Sequence, residues 1–340
     1  MSGKKKISYP IDLPFKTCEP EFLDNARDKY LLHREEIDKI INALNGTFRV
    51  GYVKRDRVLS HGINAHSINE TLREKLKSID GIEGETNVVH GSFLPPLQSK
   101  GEFDFSIYDT KSNFYNFWNY CYGKTNGRKE GDKTVDFYIR DDSVKEKWNS
   151  FIEMQKPRKY EDDLVVPNDV FNVIGEIQFG NWAMVYKDMF RLVSAINRHA
   201  RIDLYIYVVA TGTLQKLMSD NVVNFDDACK RFKENVDNHS INRPVMIIPL
   251  DLDLEIKTYD FSEAEAGYEA VCVQIDSLEK EIKARKKTIA ELKAKNKRLK
   301  GEELTQNKEK VTCAVQEKEK VEKELTNIKD IFRNSDNEER

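Results

Sequence analysis

Cysteine is scarce in this chain of 340 residues and is never clustered. The five cysteines (Cys18, Cys121, Cys229, Cys272, Cys313) are odd in number and form no CxxC pair. That excludes a disulfide framework and a thiolate zinc site, and it points to a reducing, cytoplasmic setting. No apolar run reaches the roughly 20 residues of a membrane span. The basic residues at 4–6 have no apolar stretch behind them, so neither a secretory leader nor a membrane partner is expected. An excess of charge of one sign is missing too: 55 Lys and Arg face 58 Asp and Glu, a net charge of −3. A non-specific nucleic-acid binder held by a global basic field is therefore disfavoured, although local basic patches remain open. The six histidines have no metal-ligand spacing, and no P-loop, GxGxxG run or Ser/His/Asp grouping occurs. What the chain has instead is charge, 33% of all residues against a usual quarter or so, with much of the excess in the last seventy residues.

The stretch most suited to chemistry is 167–179, Pro-Asn-Asp-Val-Phe-Asn-Val-Ile-Gly-Glu-Ile-Gln-Phe. Pro167-Asn168 breaks the preceding structure and Asn172 offers a turn, so the pattern predicts a tight β-hairpin. Alternate side chains of a strand share a face, which places Glu176 and Gln178 together. A paired strand would set Asp169 beside them. Two carboxylates and an amide oxygen are hard donors of the kind Mg²⁺ accepts. The plainer alternative makes Asp169 a turn residue, with Glu176 and Gln178 on a solvated strand face.

The run Asp169…Glu176-Ile177-Gln178-Phe179-Gly180-Asn181, followed by the helical stretch 182–191, resembles the PD-(D/E)XK nuclease core. More narrowly, it is similar to the BglII-like type II restriction endonucleases, in which the usual D…ExK reads D…ExQ. The resemblance implies Asp169 and Glu176 as metal ligands and Gln178 in the place of the usual lysine. It also implies a helix ahead of the core strands that offers an acidic residue. Residues 68–76 are similar to that helix and make Glu70 the residue carried over. A capping or solvent-facing Glu70 remains open. Asp104 and Asp136, each in an apolar setting that reads as a strand, are rivals for the place of Asp169.

Along the chain, residues up to about 20 look irregular because of Pro10, Pro14 and Pro20, and 21–43 reads as one helix. Residues 48–58 carry Arg49, Lys54, Arg55 and Arg57 and read either as a phosphate-touching segment or as a solvated edge strand. Residues 60–79 form a second helix, and 88–93 and 103–108 read as strands. Aromatic-rich 113–122 leads into a basic loop with Lys124, Arg128, Lys129 and Lys133. Such a pairing suits a target-reading insertion, with cations for phosphates and aromatics for bases; a core helix followed by a solvated loop suits it equally. Beyond the hairpin come a helix (182–198), a continuous apolar strand (202–210), a helix opened by Asn224 (225–236) and a last strand (244–250). The order implies an α/β fold, a mixed central sheet flanked by helices.

From about 262 the apolar positions alternate by four and three, with Arg285 and Asn296 as polar interruptions and a break at Gly301. An antiparallel helical hairpin, or one long coiled-coil helix with a stutter, fits this arm. The expected organisation is a catalytic domain at 1–261 with an insertion at about 81–166, a helical arm at 262–333, and a disordered tail at 334–340. The expected function is Mg²⁺-dependent, site-specific cleavage of double-stranded DNA by a homodimer. Two other readings stay open: a non-catalytic interaction protein built on the helical arm, and a nuclease of the same superfamily acting on modified or branched DNA.

Overall fold

The computed structural model describes residues 7–54, 61–97, 100–219, 221–238, 240–255, 259–296 and 298–332. Arg55 and Arg57, and the tail at 334–340, lie outside them. The chain folds into two units. The larger comprises Leu13–Phe48 and Ile68–Lys257; the smaller comprises Met1–Asp12, Arg49–Ser67 and Thr258–Arg340.

The larger unit is built on strands β1 (Tyr9–Thr17, from Leu13 onward), β2 (Glu21–Leu23), β7 (Phe105–Ile107), β8 (Val173–Gln178), β9 (Leu204–Ala210) and β10 (Val245–Leu252). Its centre is parallel: β9 lies between β8 and β10. The flanks are antiparallel, with β7 on β8 and with β1 and β2 on β10. All seven residues of β9, Leu-Tyr-Ile-Tyr-Val-Val-Ala, are buried, which is why that segment reads as a continuous apolar run rather than an alternating one. One face of the sheet is covered by α7 (Met184–Asn197) and α9 (Phe225–Asp237), whose Val185, Met189, Leu192 and Phe232 pack on Ile174, Tyr205 and Tyr207. The side chain of Asn224 caps α9 by accepting from Asp227 N, as the sequence suggested.

Several boundaries differ from expectation. Pro10 and Pro14 sit inside strand β1 rather than in an irregular lead-in. The single helix expected at 21–43 is strand β2 followed by α1 (Ala26–Leu32) and α2 (Arg34–Ala43). Asp24 and Asn25, both at positive φ, turn the chain into α1, and His33 separates the two helices with its ring stacked on Phe171 at 3.6 Å. Strands β5 (Asn87–Val89) and β6 (Ser92–Leu94) form a hairpin closed by His90 and Gly91, which both take positive φ as a two-residue hairpin turn requires.

The insertion is helical: α4 (Thr110–Tyr122), α5 (Gly131–Tyr138) and α6 (Asp142–Gln155). Most aromatics of 113–122 face inward. Phe114, Phe117, Trp118, Tyr120 and Tyr122 are buried in a second core with Trp148 and Phe151, because α4 lies among α5, α6 and β6 and so has little solvated face. Asp136, one rival for the first carboxylate, lies exposed on α5 and not in a strand.

Gly175 in β8 faces Phe105 across the β7–β8 pair, and a Cβ there would come within 2.1 Å of the ring. Gly175→Ala is expected to cost about 1–3 kcal/mol by overpacking. Chemical denaturation checks this, and the loss should shrink when Phe105 is also reduced to Leu.

In the smaller unit, β3 (Gly46–Lys54, from Arg49 onward) pairs with β4 (His61–Ile63), and the fully buried Tyr52 packs against Phe261 and Tyr268. Lys54 is paired with Glu265 and Glu269, each at 2.6 Å, so it is an anchored strand residue. The two long helices are α10 (Ser262–Asn296) and α11 (Gly301–Ile331). They run antiparallel, as the contacts Glu279–Lys329, Lys286–Glu322 and Leu292–Asn307 show. Both polar interruptions of the seam are satisfied within it. Asn296 accepts from the buried Asn307 at 2.7 Å, and Arg285 bonds Glu281 and Glu317.

Candidate active site

Residues 167–172 do not form the first arm of a hairpin. They are a loop that enters β8, and the partner of β8 on that side is β7, some seventy residues upstream. Asp169 lies exposed in this loop, ahead of the N-terminal end of β8, whereas Glu176 stands near its C-terminal end. The structure therefore does not bring Asp169 beside Glu176. It brings Asp104 there instead. With Phe105 opposite Gly175, the preceding residue Asp104 falls opposite Glu176, and its Oδ2 accepts from Ile177 N at 2.7 Å. Both carboxylates are buried, Asp104 at 7% exposure and Glu176 at 3%.

Three further elements close around this pair. Helix α3 (Ala65–Lys77) contributes Arg73, whose Nη2 lies 2.7 Å from Asp104 Oδ1. Helix α7 contributes Asp188, which is fully buried, and Arg191. Strand β9 contributes Tyr207, which sits opposite Glu176 in the parallel register and donates to Asp188 Oδ2 at 3.1 Å. Gln178 shares the face of Glu176, as strand alternation predicts, and is buried. Its Nε2 donates to Asp188 Oδ2 at 2.8 Å and its Oε1 accepts from Gly180 N at 2.7 Å. Gln178 thus braces the end of β8 against α7. Glu70 is exposed on α3; the α3 residue that bonds the acidic pair is Arg73.

The electrostatics follow from this crowding. Burial pushes the Glu176 carboxyl well above the usual range, and repulsion from Asp104 and Asp188 pushes it further, against the pull of Arg191 and Arg73. Burial raises Asp188 to about 6, opposed by the hydrogen bonds from Gln178 and Tyr207 and by the Arg191 charge. The folded pKa of Asp188 thus lies above the unfolded value of about 3.9. Between those values the folded state holds the extra proton, so this group's contribution to stability falls as pH rises from about 4 to 6. The difference in unfolding free energy between the protein and its Asp188→Asn variant, followed across that interval, should show this slope. A flat difference would contradict the burial that causes it.

These residues fit a hard divalent cation. Two carboxylates from neighbouring strands repel one another in a buried place, and Mg²⁺ needs only one or two carboxylates because it keeps several waters. Asn69 adds a second observation. Its Oδ1 is buried with no hydrogen-bond partner, one turn before Arg73 on the α3 face that meets Asp104. Among the described residues, no group of three or more His, Cys, Asp or Glu side chains forms a full metal cage, so a cation here would rely on the carboxylate pair together with amide or backbone oxygens.

The sequence model of the restriction endonuclease BglII/BglIII family matches residues 28–250, which include Asn69, Arg73, Asp104, Glu176, Gln178, Asp188 and Arg191. The chain belongs to this family. As a BglII/BglIII-type protein it is a type II site-specific deoxyribonuclease, and its α/β core with a mixed central sheet is a restriction-endonuclease fold. Two solved structures are similar to it: free BglII, and BglII complexed with a DNA 16-mer. Each shows 9% sequence identity and a TM-score of 0.35, over 70% of this chain and 80% and 79% of theirs. No curated protein matches the chain.

Asp188, Arg191, Arg73 and Asn69 were not found from sequence as site residues. Asp188 and Arg191 follow the ExQF run by nine and twelve positions, and an acid and a base three apart read as an ordinary solvated pair. The signal that was available is placement: Asp188 falls on the face of α7 that also carries the buried Val185 and Leu192.

Proposed function

We propose that the protein cleaves double-stranded DNA as a homodimer, with Mg²⁺ held by Asp104 and Glu176 and the Asn69 amide oxygen close by. The observation that carries this reading is the buried cross-strand carboxylate pair, with an unpartnered acceptor on the adjoining helix face. When bound, the cation supplies a lowered pKa for a coordinated water and positive charge for the developing phosphorane. The chain's own residues hold the carboxylates in place: Arg73 and Ile177 N fix Asp104, Tyr207 and Gln178 fix Asp188, and Asp188 fixes the α7 side of the site. Asp169, exposed in the loop ahead of β8, and Glu70, exposed on α3, stand outside this proposed ligand set. Two copies of one site per duplex match the two strands by symmetry, which is why a dimer is the expected working form. Sedimentation of the free protein at twice the monomer mass, about 79 kDa against 39.6 kDa, checks that point.

Lys124, Arg128, Lys129 and Lys133 are exposed around the turn from α4 into α5. Arg128 is held over the Tyr120 ring at 4.6 Å, and Lys133 bonds Glu130 at 2.7 Å. These cations form a local phosphate-binding edge on a chain of near-neutral charge. Replacing Arg128 and Lys129 together by Ala is expected to weaken duplex binding and to reduce the slope of log K against log salt by up to about 2. An unchanged slope would remove this loop from the interface. The reading as a whole is tested on unmodified phage DNA. Discrete fragments in Mg²⁺ and none in EDTA support it. Products of all sizes would contradict site specificity, and cleavage confined to methylated DNA would move the substrate class.

A further inference from the structure

Position 178, where a lysine would bring positive charge to the site, holds a glutamine whose two ends are already occupied by Asp188 and Gly180 N. The scissile phosphate would thus approach two carboxylates with no cation from that strand. Two guanidinium groups stand at the acidic pair, and their bonding differs. Arg73 is tied to Asp104 at 2.7 Å, the length of a strong charge-assisted bond. Arg191 shares one Nη1 between Glu176 at 3.3 Å and Asp188 at 3.4 Å, both beyond the usual 2.7–2.9 Å or so of such bonds. Its side chain is 28% exposed, while those of its two carboxylate partners are 4% and 0% exposed. Arg73 is exposed to nearly the same extent, 26%, so what sets Arg191 apart is its looser hold on the protein.

Resting on the reading of Asp104 and Glu176 as the metal site, we propose that Arg191 binds the scissile phosphate and supplies the positive charge absent from position 178. The planar fork of a guanidinium accepts two phosphate oxygens at once. Asp188, three residues earlier on α7 and buried, steers the arginine toward Glu176, so the cation reaches the site from the helix rather than from the strand. Arg73 stays on Asp104 as a positioning residue.

The test uses Arg191→Lys and Arg191→Met in the full chain, each shown to be folded by its thermal transition. Three readouts follow on a duplex carrying the mapped target. In single-turnover cleavage, Arg191→Met should lose about 10²–10³-fold, the range for removing one donor to a developing oxyanion, and Arg191→Lys should recover part of it. In EDTA, the unaltered protein should bind the normal duplex about tenfold or more tightly than one with a neutral methylphosphonate at the scissile position, the worth of a charge-assisted bond. Arg191→Met should bind both duplexes alike. Without DNA, Mn²⁺ should bind Arg191→Met at least as tightly as the unaltered protein. Retained discrimination between the two duplexes, or weakened Mn²⁺ binding, would make Arg191 a mere support for Glu176 and overturn the proposal. A fully active Arg191→Met beside an inactive Glu176→Ala overturns it alone, whereas an active Glu176→Ala overturns the site on which it rests.

Discussion

Asp104→Asn is expected to reduce DNA cleavage by about 10³-fold or more, whereas Asp169→Asn leaves the rate within about threefold, since removal of one electrostatic participant typically costs 10²–10³ or more. The contrast comes from the sheet. Asp104 stands opposite Glu176 in the antiparallel pair of β7 and β8 and is buried; Asp169 lies in the exposed loop before β8. The Asn substitution keeps the shape of the side chain and its capacity to accept from Ile177 N, so a loss of rate reports the missing charge rather than a collapsed strand. Parallel steady-state kinetics on the two variants checks it. Comparable losses in both, or a loss in Asp169→Asn alone, would restore the loop residue to the site.

Asp188→Ala is expected to destabilise the protein by about 3–5 kcal/mol, the cost of removing one partner from a buried charged network. Three groups lose their acceptor at once: Gln178 Nε2, Tyr207 Oη and one of the two carboxylate contacts of Arg191. The first two are buried, so water does not replace what they lose. Asp188→Asn retains an acceptor oxygen and should cost far less. Urea unfolding of both variants separates the two outcomes. A loss below about 1 kcal/mol for Asp188→Ala would mean that Asp188 is not what holds α7 to the end of β8.

How much of this was legible in the sequence depends on whether the signal was local. The ExQF run, the helix after it, the apolar β9 and the hairpin break at Gly301 are each written in a few adjacent residues, and each is present where it was expected. Glu176 and Gln178 do share one face of β8, because strand alternation leaves no other arrangement. Closeness in sequence favours a short hairpin, and with it Asp169 over Asp104 as the first carboxylate, whereas β8 pairs with the preceding strand across a long insertion. Here the partner is the strand read at 103–108, observed as the three residues Phe105–Ile107, and the helical insertion lies between it and β8. The aromatics of 113–122 illustrate the same limit. Their composition suits stacking on bases as well as packing, and only the position of α6 decides that Phe114, Phe117 and Trp118 are core. Gln178 shares the face of Glu176 as alternation predicts, yet its hydrogen bonds run to Asp188 and Gly180, a brace that strand spacing cannot reveal.

The measurement that bears most directly on the paired carboxylates is a Mn²⁺ titration of the DNA-free protein at pH 8, compared with Glu176→Ala and Asp104→Asn. Saturable binding to the unaltered protein that falls at least tenfold in both variants, the effect of losing one ligand of a two-carboxylate site, is the predicted result. Equal binding by all three proteins would place the metal elsewhere and contradict the assignment of Asp104 and Glu176 as the centre of the chemistry.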